Sequence, residues 1–194
     1  MLRMDLNLDT RDRLPDALRV LLEQYPRDTW EGHGNFGQLI RFWLDRHLMF
    51  RRMNAMLRDG AEGFIDGKGE PARFGAEVAR VGQMMLQELH GHHTMEDTHY
   101  FPVLTRQDKR LVRGFEMLDA DHHALDTHLA TFAERANATL RALSSGETAA
   151  TRDAVGAYHG HVAAFERFLD RHLTDEEDLI VPVLLHYDPQ EFRH

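Results

Sequence analysis

The sequence predicts an all-α protein: an up-down-up-down four-helix bundle (residues 31–194) preceded by an N-terminal segment with a short extra helix (residues 1–30). Three observations predict it. Apolar residues recur at helical spacing through most of the 194 residues, no alternating run is long enough for a strand, and one polar pattern, His-x-x-x-Glu, appears on two of the helical stripes.

A short helix is expected after Leu14, with Pro15 in its first turn, running to about Gln24, before Tyr25-Pro26 stops it. The Gly-rich stretch Glu31 to Gly37 then leads into a first long helix whose inward stripe reads Phe36, Ile40, Trp43, Leu44, His47, Phe50 and Leu57. Four glycines between Asp59 and Pro71 predict the next break, and Pro71 suits the first turn of the second helix. That helix carries Val78, Val81, Met85, Leu89, His92, Glu96 and Val103 inward, and is expected to end near Pro102. The third starts near Lys109 with Leu111, Phe115, Leu118, His122, Leu125, Leu129 and Phe132, and ends before Ser144-Ser145-Gly146. The fourth carries Phe165, Phe168, Leu169, His172, Glu176, Leu179 and Val183.

Composition narrows the function classes. A formal charge of −9 without a basic run argues against nucleic acid as a partner. The absence of cysteine removes disulfides, iron–sulfur ligation, thiolate zinc sites and thiol nucleophiles. The N-terminus lacks the apolar core of a signal peptide and no stretch approaches a bilayer span, so no membrane partner and a cytoplasmic location are expected. Fourteen histidines are the compositional outlier. His90, His99, His128, His159, His186 and His194 read as scattered surface imidazoles.

The others form a pattern. His92, Glu96 and Pro102 recur 80 positions later as His172, Glu176 and Pro182. A His and a Glu four residues apart on a helix point the same way, so both reach one metal centre. His47 and His122 each lie mid-stripe on the remaining two helices, so the chain reads as two helical hairpins. Pairing the hairpins brings His47, His92, Glu96, His122, His172 and Glu176 together: four imidazoles and two carboxylates. Without thiolate, such donors suit iron, manganese or zinc, and two carboxylates able to bridge favour two ions over one. Each ion would take two imidazoles, Glu96 and Glu176 would bridge, and an oxo or hydroxo group plus open positions would complete the coordination. The 80-residue offset favours His92 with Glu96 over His93 with Asp97, and the neighbouring leucines favour His122 over His123. Spacing leaves open whether His93, His123, Asp126 or Glu177 also join. Substitution of Asp97 or Glu177 is expected to leave metal occupancy nearly intact.

The segments Asp45-Arg46-His47, His92-His93-Thr94-Met95-Glu96-Asp97 to Phe101-Pro102, Asp121-His122, and His172-Leu173-Thr174-Asp175-Glu176-Glu177 to Val181-Pro182 resemble the hemerythrin-like HHE cation-binding domain, over about Asn35 to Tyr187. The resemblance implies a bundle with a non-haem di-iron centre on the six residues above. Members of that family carry or sense dioxygen, respond to nitric oxide or iron, or help repair damaged iron centres. Oxygen-carrying members place a further His four residues past the third-helix one, where this chain has Asp126, and a fourth-helix carboxylate five residues past its His, where Glu177 follows Glu176. The leading expectation is therefore a di-iron protein that binds or senses dioxygen, nitric oxide or peroxide in storage or stress response. Turnover of such an oxidant, with a proton from His93 or Tyr100, and iron buffering or iron-centre repair are the alternatives. Whether a protein partner takes part is left open by the sequence; any sensing output would pass through one or through the N-terminal segment.

Overall fold

The computed structural model describes residues 6–192, and His194 lies outside them. Among the described residues every regular element is helical. The long ones are α1 (Gln38–Ile65), α2 (Pro71–Met95), α4 (Val112–Ser145) and α5 (Thr148–Tyr187), with a two-turn α3 (Phe101–Gln107) between α2 and α4. No helix is long and apolar enough to cross a membrane.

Two breaks differ from the sequence expectation, for separate reasons. α1 runs on through Gly60 and Gly63, which remain helical, and only Gly67 takes a left-handed conformation, at φ 73°. Lys68 N–H donates to the Gly63 carbonyl at 2.9 Å and Gly67 N–H to Phe64 at 3.0 Å, so the last carbonyls of the helix are satisfied by a Schellman closure. Pro71 then opens α2 at a position where its missing N–H costs nothing. Nor does the helix stop near Pro102. Residues Glu96–Tyr100 form one wide π turn, Phe101 N–H reaches back to the Glu96 carbonyl, and α3 follows with Pro102 in its first turn. A proline inside a regular helix clashes with the carbonyl four residues back, and widening the turn before it relieves that clash.

The N-terminal segment departs further. In place of a helix to Gln24 there is a three-residue 3₁₀ turn, Asp16–Leu18, then irregular turns and a second 3₁₀ stretch, Arg27–Gly32. Nonetheless Leu14, Leu18, Leu21, Leu22 and Trp30 are buried in one cluster with Ile40, Trp43, Phe101, Leu111, Phe115, Leu118, Leu179 and Leu184. Trp30 donates its indole N–H to the Tyr25 carbonyl at 2.7 Å, which lets it be buried without an unmet polar group.

The chain divides into two compact units. One comprises the chain up to Leu48, His92–Ala124 and the chain from Asp170 onward; the other comprises Met49–Gly91 and Leu125–Leu169. The second has an aromatic and aliphatic core containing Phe50, Leu57, Phe132, Tyr158 and Phe165, with Gly82 facing the Phe132 ring. All of the expected metal-site residues belong to the first.

Because Leu21 is 1% exposed within the shared cluster, Leu21→Ala is expected to destabilise the protein by about 2–5 kcal/mol, as a core truncation does. Denaturant unfolding checks this; an unchanged midpoint would mean that the segment is a detachable tail.

Candidate metal centre

Two groups of donor atoms converge inside the first unit. His47, His92, Glu96 and Glu176 form one, His93, His122 and His172 the other, and within each the ligand atoms lie within 4.8 Å of one another. The helices explain the convergence. α1 supplies His47, α4 supplies His122, α5 supplies His172 and Glu176 one turn apart, and α2 supplies His92 and His93 just before the π turn that opens on Glu96. The carboxylates stand between the groups. Glu96 Oε1 is 2.9 Å from His92 Nε2 and its Oε2 3.6 Å from His122 Nε2. Glu176 Oε2 is 3.4 Å from His47 Nε2 and 3.6 Å from His172 Nε2. Each carboxylate thus faces an imidazole of both groups, the position a bridging ligand occupies.

The outward nitrogens are held by acidic side chains. Nδ1 of His47 meets Glu177 Oε1 at 3.0 Å, Nδ1 of His122 meets Asp97 Oδ1 at 2.8 Å, and Nδ1 of His172 meets Asp121 Oδ2 at 3.3 Å. An ionised carboxylate only accepts hydrogen bonds, so each holds its imidazole with the proton on Nδ1 and leaves an Nε2 lone pair aimed inward. Outer carboxylates of this kind orient metal-binding histidines and raise their basicity. Trp43 performs the same service for a carboxylate, donating its indole N–H to Glu176 Oε1 at 3.2 Å.

Protein groups alone leave the interior unsatisfied. Among the described residues both oxygens of Glu96, Oε2 of Glu176, both ring nitrogens of His93 and Nε2 of His122 and His172 are buried without a hydrogen-bond partner. The 2.9 Å approach of His92 to Glu96 is within contact but lacks hydrogen-bond alignment. Nε2 of His47 and His92 are 3.1 Å apart, and facing lone pairs at that distance repel unless a proton or a cation lies between them. Burial pushes the Glu96 carboxyl up to about 8, with Asp97 adding to the rise. Burial, then the neighbouring Glu96 charge, pushes Glu176 up to about 8. Burial also pushes the His92 imidazole down to about 4 and those of His93 and His172 well below their ordinary range. Orphaned donors of nitrogen and oxygen type, without thiolate, fit metal cations, which would meet the lone pairs and reverse the cost of ionising the carboxylates.

All six residues singled out from the sequence are brought together, and His93 joins them as a fifth imidazole. It is 4% exposed and stacks on His122 with ring centroids 4.0 Å apart. Adjacent on one helix, His92 and His93 point about 100° apart, so one stripe cannot hold both, and the signal for His93 was its four-residue spacing to Asp97. His123 and Asp126 are exposed, and neither approaches the centre. Asp97 and Glu177 are not bystanders, since each orients an imidazole; the expectation that their loss leaves metal retention nearly intact gives way to a loss of about 10- to 100-fold in affinity. Asp121 entered only as part of a motif. Of the scattered histidines, His90, His99 and His186 are exposed. His128 is half-buried on the Phe168 ring at 4.3 Å, and His159 is half-buried against Glu62 at 3.1 Å.

The family model described as hemerythrin HHE cation binding domain matches residues 38–184. Neither the curated proteins nor the solved structures gave a match to the chain.

The raised carboxyls carry a linkage consequence. The metal-free folded protein keeps protons on Glu96 and Glu176 up to about pH 8, whereas the unfolded chain releases them near 4.5. The folded state therefore binds more protons in between and loses stability as pH rises through that window. Above pH 6.5 the unfolded chain's histidines are mostly neutral, so the carboxyl pair dominates the slope of this site. The melting temperature of chelator-stripped protein is expected to fall from pH 6.5 to 8, and that of metal-loaded protein to be nearly flat; a stripped protein that gains stability over this range contradicts the assignment.

Proposed function

The chain belongs to the hemerythrin HHE cation-binding domain family, and from that premise we propose that it is a non-haem di-iron protein that binds or senses dioxygen, nitric oxide or peroxide in the cytoplasm, on an up-down-up-down four-helix bundle. The observation that carries the reading is the pairing of two donor groups across two shared carboxylates in a buried, thiolate-free interior. His47, His92, Glu96 and Glu176 would hold one ion and His93, His122 and His172 the other, with Glu96 and Glu176 shared. Manganese and zinc suit the same donors, and iron follows from the family. Bound iron would supply an open coordination position and a reversible one-electron change.

The chain's own residues do the rest. Asp97, Asp121 and Glu177 keep three imidazoles in the lone-pair-inward tautomer through a change of charge at the centre. Trp43 anchors Glu176, while Phe101, packed at 5.5 Å on the His122 ring, together with Phe115 and Leu118, excludes bulk water. The His92 side chain, at 9% exposed the most open of the ring in its group, marks the side from which a small ligand reaches the interior. Tyr100, half-buried against Trp43 at 4.8 Å, borders that side.

Iron-loaded protein is expected to contain two irons per chain and to change its visible absorption on adding azide, dioxygen or nitric oxide. Glu96→Gln and Glu176→Gln are each expected to lower iron content to one per chain or less. Fewer than one iron per chain in the wild type overturns the two-ion centre; two irons that exchange freely and give no spectral response to any of the three ligands point to iron buffering.

A further inference from the structure

Two arginines of the N-terminal segment reach the outer layer of this centre, and both lie outside the family-matched residues 38–184. Arg11 is buried at 6% exposed. Its guanidinium donates to both oxygens of Asp121, the carboxylate that receives His172 Nδ1–H, and to Asp175 at 2.7 Å, while Nη1 also meets the Leu6 carbonyl at 2.9 Å. Arg27 donates to Glu177 Oε2 at 2.8 Å; the other oxygen of Glu177 receives His47 Nδ1–H at 3.0 Å. Arg27 also holds Asp178 at 2.7 Å and the Thr174 carbonyl at 3.1 Å. The same relay, arginine to carboxylate to imidazole, is built twice from one short stretch of chain, once onto each donor group.

We propose that Arg11 and Arg27 are positioning residues for the metal centre: the N-terminal segment is a brace that fixes Asp121 and Glu177, through them His172 and His47, and so governs how tightly both ions are retained. This rests on the reading of the site as a two-ion centre. Arg11 grips Asp121 through both Nη atoms, a fork that fixes the carboxylate plane, while Arg27 spans Glu177 and Asp178 with separate nitrogens and ties Glu177 to that neighbour, so neither carboxylate swings freely when its imidazole is pulled inward. Charge alternates along each relay, and the arginine balances a buried carboxylate that would otherwise compete with the centre for cations.

The test uses the full chain loaded with iron and follows iron release to excess ferrozine under reducing conditions. Arg27 is the variant of choice because its side chain is 43% exposed, whereas Arg11→Gln removes the buried cation paired with Asp121 in the interior. Arg27→Gln is expected to release iron about tenfold faster than wild type, in line with loss of an outer-shell partner. Arg27→Lys is expected to recover part of the difference. In a Glu177→Gln background, Arg27→Gln is expected to add nothing, because the arginine acts through that carboxylate; a general loosening of the segment would add its effect in full. Arg13→Gln, which removes an exposed pair with Asp16, is the control and should match wild type. Release from Arg27→Gln at the wild-type rate, or full additivity with Glu177→Gln, overturns the brace alone. Wild type that takes up no iron overturns the two-ion reading, and the brace with it.

Discussion

The constraint on which this structure depends is the confinement of five imidazoles and two carboxylates in an interior where both oxygens of Glu96, Oε2 of Glu176, both nitrogens of His93 and Nε2 of His122 and His172 meet no hydrogen-bond partner. A buried charge or lone pair without a partner costs several kcal/mol, and here the deficits are concentrated at one place. Everything around that place is arranged to keep the deficit pointing inward. Acidic residues take the outward imidazole protons, an indole takes one carboxylate oxygen, and arginines balance the acids. Reading from the periphery toward the middle, the layers alternate cation, anion, neutral base, an order that a cation at the centre would continue.

Much of this was written in the chain. The helical stripes located four long helices and placed His47, His92, Glu96, His122, His172 and Glu176 on inward faces, because burial and ligation both follow the 3.6-residue period. His93 escaped that reasoning for the same cause: a stripe admits one residue per turn, and only the width of the gap between helices decides whether its neighbour also reaches. The positions of Asp121 and Glu177 became meaningful only when the imidazoles beside them were oriented. Arg11 and Arg27 carried no signal, since they sit in a stretch without periodic structure and meet partners more than a hundred residues away.

Turn chemistry was legible in kind and not in place. The glycines between Asp59 and Pro71 did mark a helix end, yet a helical glycine and a left-handed one look alike in sequence, and only Gly67 was left-handed. Likewise Leu14, Leu18, Leu21 and Leu22 are buried, yet not in the helix expected to run to Gln24. Apolar residues can be packed by short 3₁₀ turns when a larger body offers the surface.

The wide turn at Glu96–Tyr100 amounts to one extra residue accommodated within an otherwise continuous rod. Deleting one residue from Asp97 to His99 would let the rod close into uniform α geometry with the downstream side chains still facing the core; closing the turn with no residue removed would instead swing everything downstream by about 100° around its axis. In that second case Phe101 and Leu104 would leave the interior, while His92, His93 and Glu96 kept their places. The metal-binding half of that rod and its packing half are therefore in different phase, and the length of this one turn keeps both directed at the same core.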